Sequence, residues 1–402
     1  MNDEKAHPPL HRPPRRKSHK THKALPRPPF ECIALLLQGG GALGAYQAGV
    51  YEALAEAGLH PDWVAGISIG AINSAIIAGN PPETRIERLR QFWEQITAPS
   101  SPAWPVAIAL TARQGELARK TLNQTSAAMA LLSGAPGFFA PRVPMPWLNP
   151  DGSQAATSHY DTADLKATLE RLVDFDRINA GPMRFSVGAV NVQTGNFLYF
   201  DTTTHHIRPE HVMASGALPP GFPAVEIDGQ LYWDGGLVSN TPLQWVVQGD
   251  TRQDTLAFQV DLWSARGDLP RNLADVTTRL KEIQFSSRTR AGTDQFKRLQ
   301  RLRGALSDLL DALPEEMKHL PSAEILKPLA DRKVYNIVQL IYQARHYEGD
   351  SKDYEFSRVS MNEHWRSGYQ DGIRTLRHPE VLERPANSER VATFDLAVDG
   401  RE

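Results

Sequence analysis

From Phe30 onward, short unbroken apolar runs alternate with stretches of helical periodicity. Cys32-Ile-Ala-Leu-Leu-Leu37 carries no polar interruption, which predicts a strand covered on both faces. Gly39 to Gly44 follows as a turn, and Ala45 to Gly58 reads as a helix closed by a C-terminal glycine. The unit then repeats, with a strand at Trp63-Val-Ala-Gly-Ile67 and a helix at Ile69 to Gly79. Strand, tight turn, helix, repeated, is the pattern of a parallel α/β sheet. Further strands are expected at Arg184 to Val192, Asn196 to Phe200 and Thr255 to Leu262.

Residues 98–150 break the rhythm with many prolines and with Trp104, Phe138, Phe139 and Trp147. The stretch supports two readings, a lid or acyl-chain groove over an active site and an insertion whose aromatics pack on the sheet. Beyond about residue 270 the chain turns helical. Arg279 to Arg303 holds eight basic and two acidic residues, with Leu280, Ile283, Phe296, Leu299, Leu302 and Leu306 as a partial apolar stripe. The favoured reading is the solvated face of a packed helix, the competing one a membrane-surface helix. Val334 to Tyr342 predicts a strand, and Ser360-x-x-Glu363 a capping box that opens a last helix. Residues 1–29 carry seven prolines, four histidines and eight Lys/Arg against two acids, which predicts a disordered basic tail. The resulting division is a tail at 1–29, an α/β domain at 30–269 with 98–150 as lid or insertion, a mostly helical extension at 270–384 and a frayed end at 385–402.

Composition narrows the field. The 402 residues are 41% hydrophobic and 22% charged, a globular balance, and 44 Lys/Arg against 46 Asp/Glu leave a net charge of −2. No bulk field points to nucleic acid. The single cysteine, Cys32, excludes an intrachain disulfide and a Cys-based zinc site and fits a reducing compartment. No apolar run reaches the roughly 18 to 20 residues that span a bilayer, so membrane contact is expected only as peripheral attachment through the basic segments of a cytoplasmic protein.

Two motifs sit on the first two strand ends. Gly39-Gly40-Gly41-Ala42-Leu43-Gly44 satisfies G-x-G-x-x-G, so a dinucleotide site has to be tested first. Such a site needs an acid at the C-terminal end of the second strand, and Asp62 lies at its start. What stands at that end is Gly66-Ile67-Ser68-Ile69-Gly70, or G-x-S-x-G, on a strand-to-helix turn that lifts a serine hydroxyl above the sheet edge. The adjacent glycine loop offers backbone amides where a tetrahedral oxyanion forms. A serine needs a base. His319, His346, His364 and His378 are available downstream, all in the helical extension, and Asp234 in Trp233-Asp234-Gly235-Gly236 is the alternative. An unperturbed carboxylate, with a pKa near 4, is a weak base. His205-His206 lacks a third ligand, and no metal-binding motif is present.

Together these elements resemble the patatin-like phospholipase family over roughly residues 30–265. Gly39 to Gly44 matches its oxyanion loop, Gly66 to Gly70 its nucleophile elbow and Asp234-Gly235-Gly236 its D-G-G/A motif. Ala214 to Pro223 and Asn240-Thr-Pro242 match the segments around the aspartate. Residues 270–384 are similar to a C-terminal extension on some bacterial members. The chain departs from many members in having Ala42 and Leu43 where they carry Arg or Lys.

The resemblance implies a FabD/lysophospholipase-like three-layer α/β/α fold with a mainly parallel sheet. It also implies a serine lipid acyl hydrolase without metal or cofactor, of phospholipase A or lysophospholipase type. In that scheme Ser68 attacks an ester, Asp234 takes its proton, and the Gly39, Gly40 and Gly41 amides hold the oxyanion. A transacylase or polyester hydrolase with the same dyad, and a non-catalytic membrane- or granule-binding protein, are the alternatives. Oligomeric state is left open.

Overall fold

The computed structural model describes residues 21–98, 115–249, 252–286, 289–345, 347–386 and 390–396. The basic tail through residue 20, Trp104 and His346 therefore lie outside the described residues.

Among the described residues, eleven strands form in chain order: β1 Cys32–Leu37, β2 Trp63–Gly66, β3 Ala140–Pro141, β4 Tyr160–Asp161, β5 Arg184–Asn191 and β6 Phe197–Asp201. They are followed by β7 Val225–Ile227, β8 Gln230–Asp234, β9 Thr255–Asp261, β10 Tyr335–Ile341 and β11 Val391–Phe394. Nine of them make one sheet in the order β11-β10-β9-β1-β2-β5-β8-β7, with β6 also paired to β5, while β3 and β4 form a separate ribbon. The run from β11 to β5 is parallel throughout, and β6, β7 and β8 add antiparallel pairs. All six residues of β1 and all seven of β9 are buried, as expected of central parallel strands sandwiched between helices. The fold is the expected α/β class with a mainly parallel sheet.

The register of β5 positions the site. β6 pairs with Ser186 to Val190 of β5, overlapping both the β2 partners, Arg184 to Val187, and the β8 partners, Ala189 to Asn191. A strand has two edges, so β2 and β8 must share the one that β6 leaves free. Gly66 stands opposite Val187 and Asp234 opposite Ala189. Two residues beyond the end of β2 the chain is level with Asp234, and that residue is Ser68.

Two early helices, α1 Ala45–Glu56 and α2 Ile69–Ala78, match the predicted units, and α3 Arg85–Ile96 comes after them without a counterpart in the expected pattern. Residues beyond 270 share the same sheet: β10 pairs with β9 over seven residues. The Arg358–Leu376 helix lies against α1, with Tyr46 donating to Asp371 at 2.8 Å and Tyr369 to Glu56 at 3.0 Å. Its N-cap is Ser357, whose hydroxyl accepts from the Ser360 N–H at 3.2 Å. The expected capping box at Ser360 is therefore displaced by one turn. Ser360 is buried inside the helix, and Glu363 pairs with Arg119 at 2.8 Å.

The 98–150 stretch contains an 18-residue helix, Glu116–Ser133, that its pattern did not announce. Phe138 and Phe139 beyond it are buried, whereas Trp147 is exposed.

The charge run at Arg279 to Arg303 splits in two: in the Thr289–Ala312 helix Phe296 is buried and Arg298 and Arg301 are exposed, as the favoured reading expects, whereas the earlier part departs from it. In the Leu273–Phe285 helix the basic residues turn inward. Arg279 donates to the carbonyls of Ser264 and Ala265, and Lys281 pairs with Asp353 at 3.0 Å. Leu280 and Ile283 face solvent instead. The reason is that the surface beneath this helix is polar, made of loop carbonyls and carboxylates.

Candidate active site

Ser68 forms the corner between β2 and α2, at φ 56° and ψ −123°. This is a left-handed backbone for a non-glycine residue, a cost of order 1–3 kcal/mol that the surroundings must hold in place. They do so in two ways. The Ser68 N–H donates to Ser215, with the carbonyl and hydroxyl oxygens each at 3.1 Å, and its C=O receives Ala71 N–H at 2.9 Å. The corner is also tight enough to require glycine on both sides. A side chain at Gly66 would strike the Gly70 carbonyl, and one at Gly70 the carbonyl of Leu37 at the end of β1.

Asp234 ends β8 and is buried. Its Oδ1 accepts the Gly236 N–H at 2.7 Å, and it shares the wall of one cavity with Ser68, whose hydroxyl is near enough to lower the carboxyl's pKa. Burial raises its pKa from 3.8 to about 7, against the smaller lowering from Ser68 and Gly236. A base with the pKa of an ordinary carboxylate was the weak point of the sequence reading, and removal from water alters it. Gly235 backs onto the Gly188 carbonyl of β5, and Gly236 lies beside Asp234 and Asn240.

The glycine loop meets this pair directly, with Gly39 packed against the Cβ of Ser68. Its backbone groups can be accounted for one by one. The Gln38 carbonyl accepts from Gln47 at 2.7 Å. The Gly39 N–H donates to Asn240 Oδ1 at 3.2 Å, and the Gly39 carbonyl accepts from Asn240 Nδ2 and Trp263 Nε1, both at 3.0 Å. The Gly40 carbonyl receives Leu43 N–H at 3.2 Å within the turn that Gly44 closes, and Ala42 N–H donates to the Asp353 carbonyl at 2.8 Å. Among the described residues, the N–H groups of Gly40 and Gly41 are left without an acceptor. Gly41 has φ +55° and is pressed against the Asp353 carbonyl, so only glycine fits there.

The side chains that set this loop escaped the sequence reading. The Gln38 side chain accepts from Leu262 and Trp263 N–H at 2.7 and 3.0 Å and donates to Phe285 C=O at 3.2 Å. Asn240 also donates to Phe285 C=O, at 2.9 Å. Asn240 stood in a matched motif, but nothing local indicated what it would hold.

A cavity of about 290 Å³ opens over Ser68 and Asp234. Its far wall is apolar, formed by Ile72, Leu131, Phe138, Phe139 and Phe222 among others. No histidine lines it among the described residues. His364 is buried elsewhere, 3.4 Å from Glu348; burial opposes its charge, but Glu348 and Glu355 outweigh that and raise its pKa. His378 lies beside Glu380, and His319 is exposed. The dinucleotide alternative also fails, since Asp62 accepts from Ile33 N–H and pairs with Arg27 at the opposite end of β2. No group of three or more His, Cys, Asp or Glu residues able to hold a metal occurs among the described residues.

The patatin-like phospholipase family model matches residues 35–247, which is more than half of the chain and includes both Ser68 and Asp234. The chain belongs to this family. A second family model, described as patatin phospholipase, matches residues 283–388, the part that adds β10 and the Arg358–Leu376 helix. Among curated relatives, patatin-like phospholipase domain-containing protein 7 of Rattus norvegicus is 43% identical over 67 residues, 16% of this chain and 5% of the relative. A lysophospholipase of Aspergillus terreus is 52% identical over 46 residues, 11% of this chain and 3% of the relative. The matches thus span about a twentieth of these much longer proteins. Among solved structures, VipD from Legionella pneumophila covers 94% of this chain and 77% of its own, at 14% identity and a TM-score of 0.35. That score is too low to bear on the assignment. No helix of the described residues is long and apolar enough to cross a membrane.

Proposed function

We propose that this patatin-like chain is a serine lipid acyl hydrolase of phospholipase A or lysophospholipase type, working through a Ser68–Asp234 dyad. The observation that carries the proposal is Ser68 on a strained corner, facing the same cavity as a buried carboxyl whose pKa stands at about 7. General-base efficiency is greatest when the base titrates near the working pH, and a histidine is then not needed.

The reaction runs as acyl transfer in two halves. Asp234 takes the hydroxyl proton as Ser68 Oγ bonds to the ester carbonyl carbon. The resulting oxyanion is held by the Gly40 and Gly41 amides, while the Gly39 N–H serves Asn240 and helps fix the loop. Collapse of the intermediate expels the alcohol, which leaves with the proton from Asp234, and acyl-Ser68 forms. Water attacks the acyl group by the reverse use of the same carboxylate and releases a fatty acid. Ala42 and Leu43 leave the loop without a charged side chain, so recognition of the oxyanion rests on backbone amides.

A cavity of about 290 Å³ is at the low end of small-molecule sites, which run to roughly 1,000 Å³. This favours one enclosed acyl chain over two. The test is hydrolysis of lysophosphatidylcholine and of dispersed diacyl phosphatidylcholine by the purified chain, with Ser68→Ala as control. Fatty-acid release from the single-chain lipid at the higher rate, abolished in Ser68→Ala, is expected. Equal release by Ser68→Ala would overturn the reading.

A further inference from the structure

Helices at protein surfaces turn their apolar stripe inward. The Leu273–Phe285 helix does the reverse. Leu273, Val276, Leu280 and Ile283, spaced by three, four and three residues along one face, are 85%, 48%, 63% and 58% exposed. The opposite face is polar and fastened. Arg279 pairs with Glu282 at 3.0 Å, Lys352 reaches Glu282 at 2.6 Å, and Lys281 binds Asp353 at 3.0 Å. These ties hold the apolar face toward solvent and prevent the helix from rolling over.

The position of that face matters. The helix ends at Phe285, which lines the cavity over Ser68. Two other walls of the same cavity also continue into exposed apolar side chains: Leu131 runs into Leu132, and Gly236 into Leu237 and Val238. Apolar surface therefore borders the mouth from three separate segments, whereas isolated exposed apolar residues would be ordinary. Just before the helix, Leu269 is 88% exposed between Arg266 and Arg271. Both arginines line a cavity of about 820 Å³ beside the helix, whose wall carries five basic and three acidic side chains.

We propose that the outward face of the Leu273–Phe285 helix, with Leu269, docks on a phospholipid bilayer, with Arg266 and Arg271 against its phosphate groups. The inference rests on the lipid-hydrolase reading above, since it takes the bilayer as the source of substrate. A protein seated on this rim would close the mouth of a site that must admit an ester. A bilayer covers the same apolar surface and delivers the ester to it, and its head-group phosphates complement the flanking charge.

The experiment is co-sedimentation of the full chain with phosphatidylcholine vesicles, with and without phosphatidylglycerol, for wild type and Leu280→Asn/Ile283→Asn. Each of these side chains is already partly covered by the protein and contributes only a part of its transfer energy to docking, so binding by the double variant should fall about 10- to 100-fold. Hydrolysis of vesicle lipid should fall with it, while a water-soluble short-chain ester is cleaved at the wild-type rate. Arg266→Gln/Arg271→Gln should lose only the increment that phosphatidylglycerol adds. Undiminished vesicle binding by the asparagine variant would overturn the proposal. So would a wild-type dimer in sedimentation velocity that the same variant turns into monomer, because the face would then be an interface between copies. If neither protein cleaves the soluble ester, the dyad reading fails, while the binding result still decides the docking.

Discussion

The glycine loop and the Leu273–Phe285 helix meet at one carbonyl, that of Phe285, and are built by opposite rules. In the loop nearly every polar group is matched within the protein, and two adjacent amides are left for a ligand. In the helix it is the apolar groups that are left over, on a face fixed by ion pairs beneath it. The loop is preorganised for a charge that exists only during reaction, so it must not relax. The helix needs no such precision, because an apolar contact is non-directional. Changes in the first region should therefore act on turnover, and changes in the second on access to aggregated substrate.

Ser68→Ala should produce the largest effect, a loss of ester hydrolysis on the order of 10⁴-fold or more, with the far-UV circular dichroism unchanged. Asp234→Asn should follow with a loss of about 10²- to 10⁴-fold in kcat. The same variant should be more stable at alkaline pH. Asp234 titrates at about 7 in the folded protein, against 3.8 for an ordinary aspartate, so the folded protein holds a proton that the unfolded chain releases. The stability this proton contributes is whole below about pH 4, where both states carry it, and is lost as pH rises through 7. The Tm gain of Asp234→Asn should accordingly be larger at about pH 8 than at about pH 5 by thermal melts, and an equal gain would contradict the raised pKa.

Asn240→Ala removes the clamp on both faces of Gly39 and leaves buried groups unpaired. A loss of about 10- to 100-fold in kcat, with KM changed much less, is expected from steady-state kinetics. A change confined to KM would show that the loop does not depend on this clamp. Lys281→Met, which releases Asp353 from its part-exposed ion pair, should have the smallest effect, about 1 kcal/mol or less in denaturant melts. Its effect on the soluble ester should be no more than a few-fold, which separates the tie beneath the helix from the clamp on the loop.

What was legible in the sequence was local. Strand, turn and helix around Gly39 and Ser68 follow from runs of a few residues, and the glycines at 66 and 70 mark the corner because no side chain fits there. Asp234 was legible as a motif, but its base strength was not, because that depends on burial beside β5 and Ser68, far away in sequence. The Asn240–Gly39 clamp joins residues 201 positions apart, and no pattern in either segment encodes the other. Periodicity gave the stripe on Leu280 and Ile283 but not the side it faces, since that was decided by the polar loop under the helix. The last helix shows the limit at short range, where Ser357 and Ser360 both offer a cap and burial of Ser360 selects Ser357.

Activation of Ser68 by the buried Asp234 is tested most sharply by the rate at which a fluorophosphonate labels Ser68 across pH. In the wild type that rate should rise through a single midpoint near pH 7, and in Asp234→Asn it should collapse at every pH. A midpoint that persists in Asp234→Asn, or a rate indifferent to pH, would assign the proton to another group.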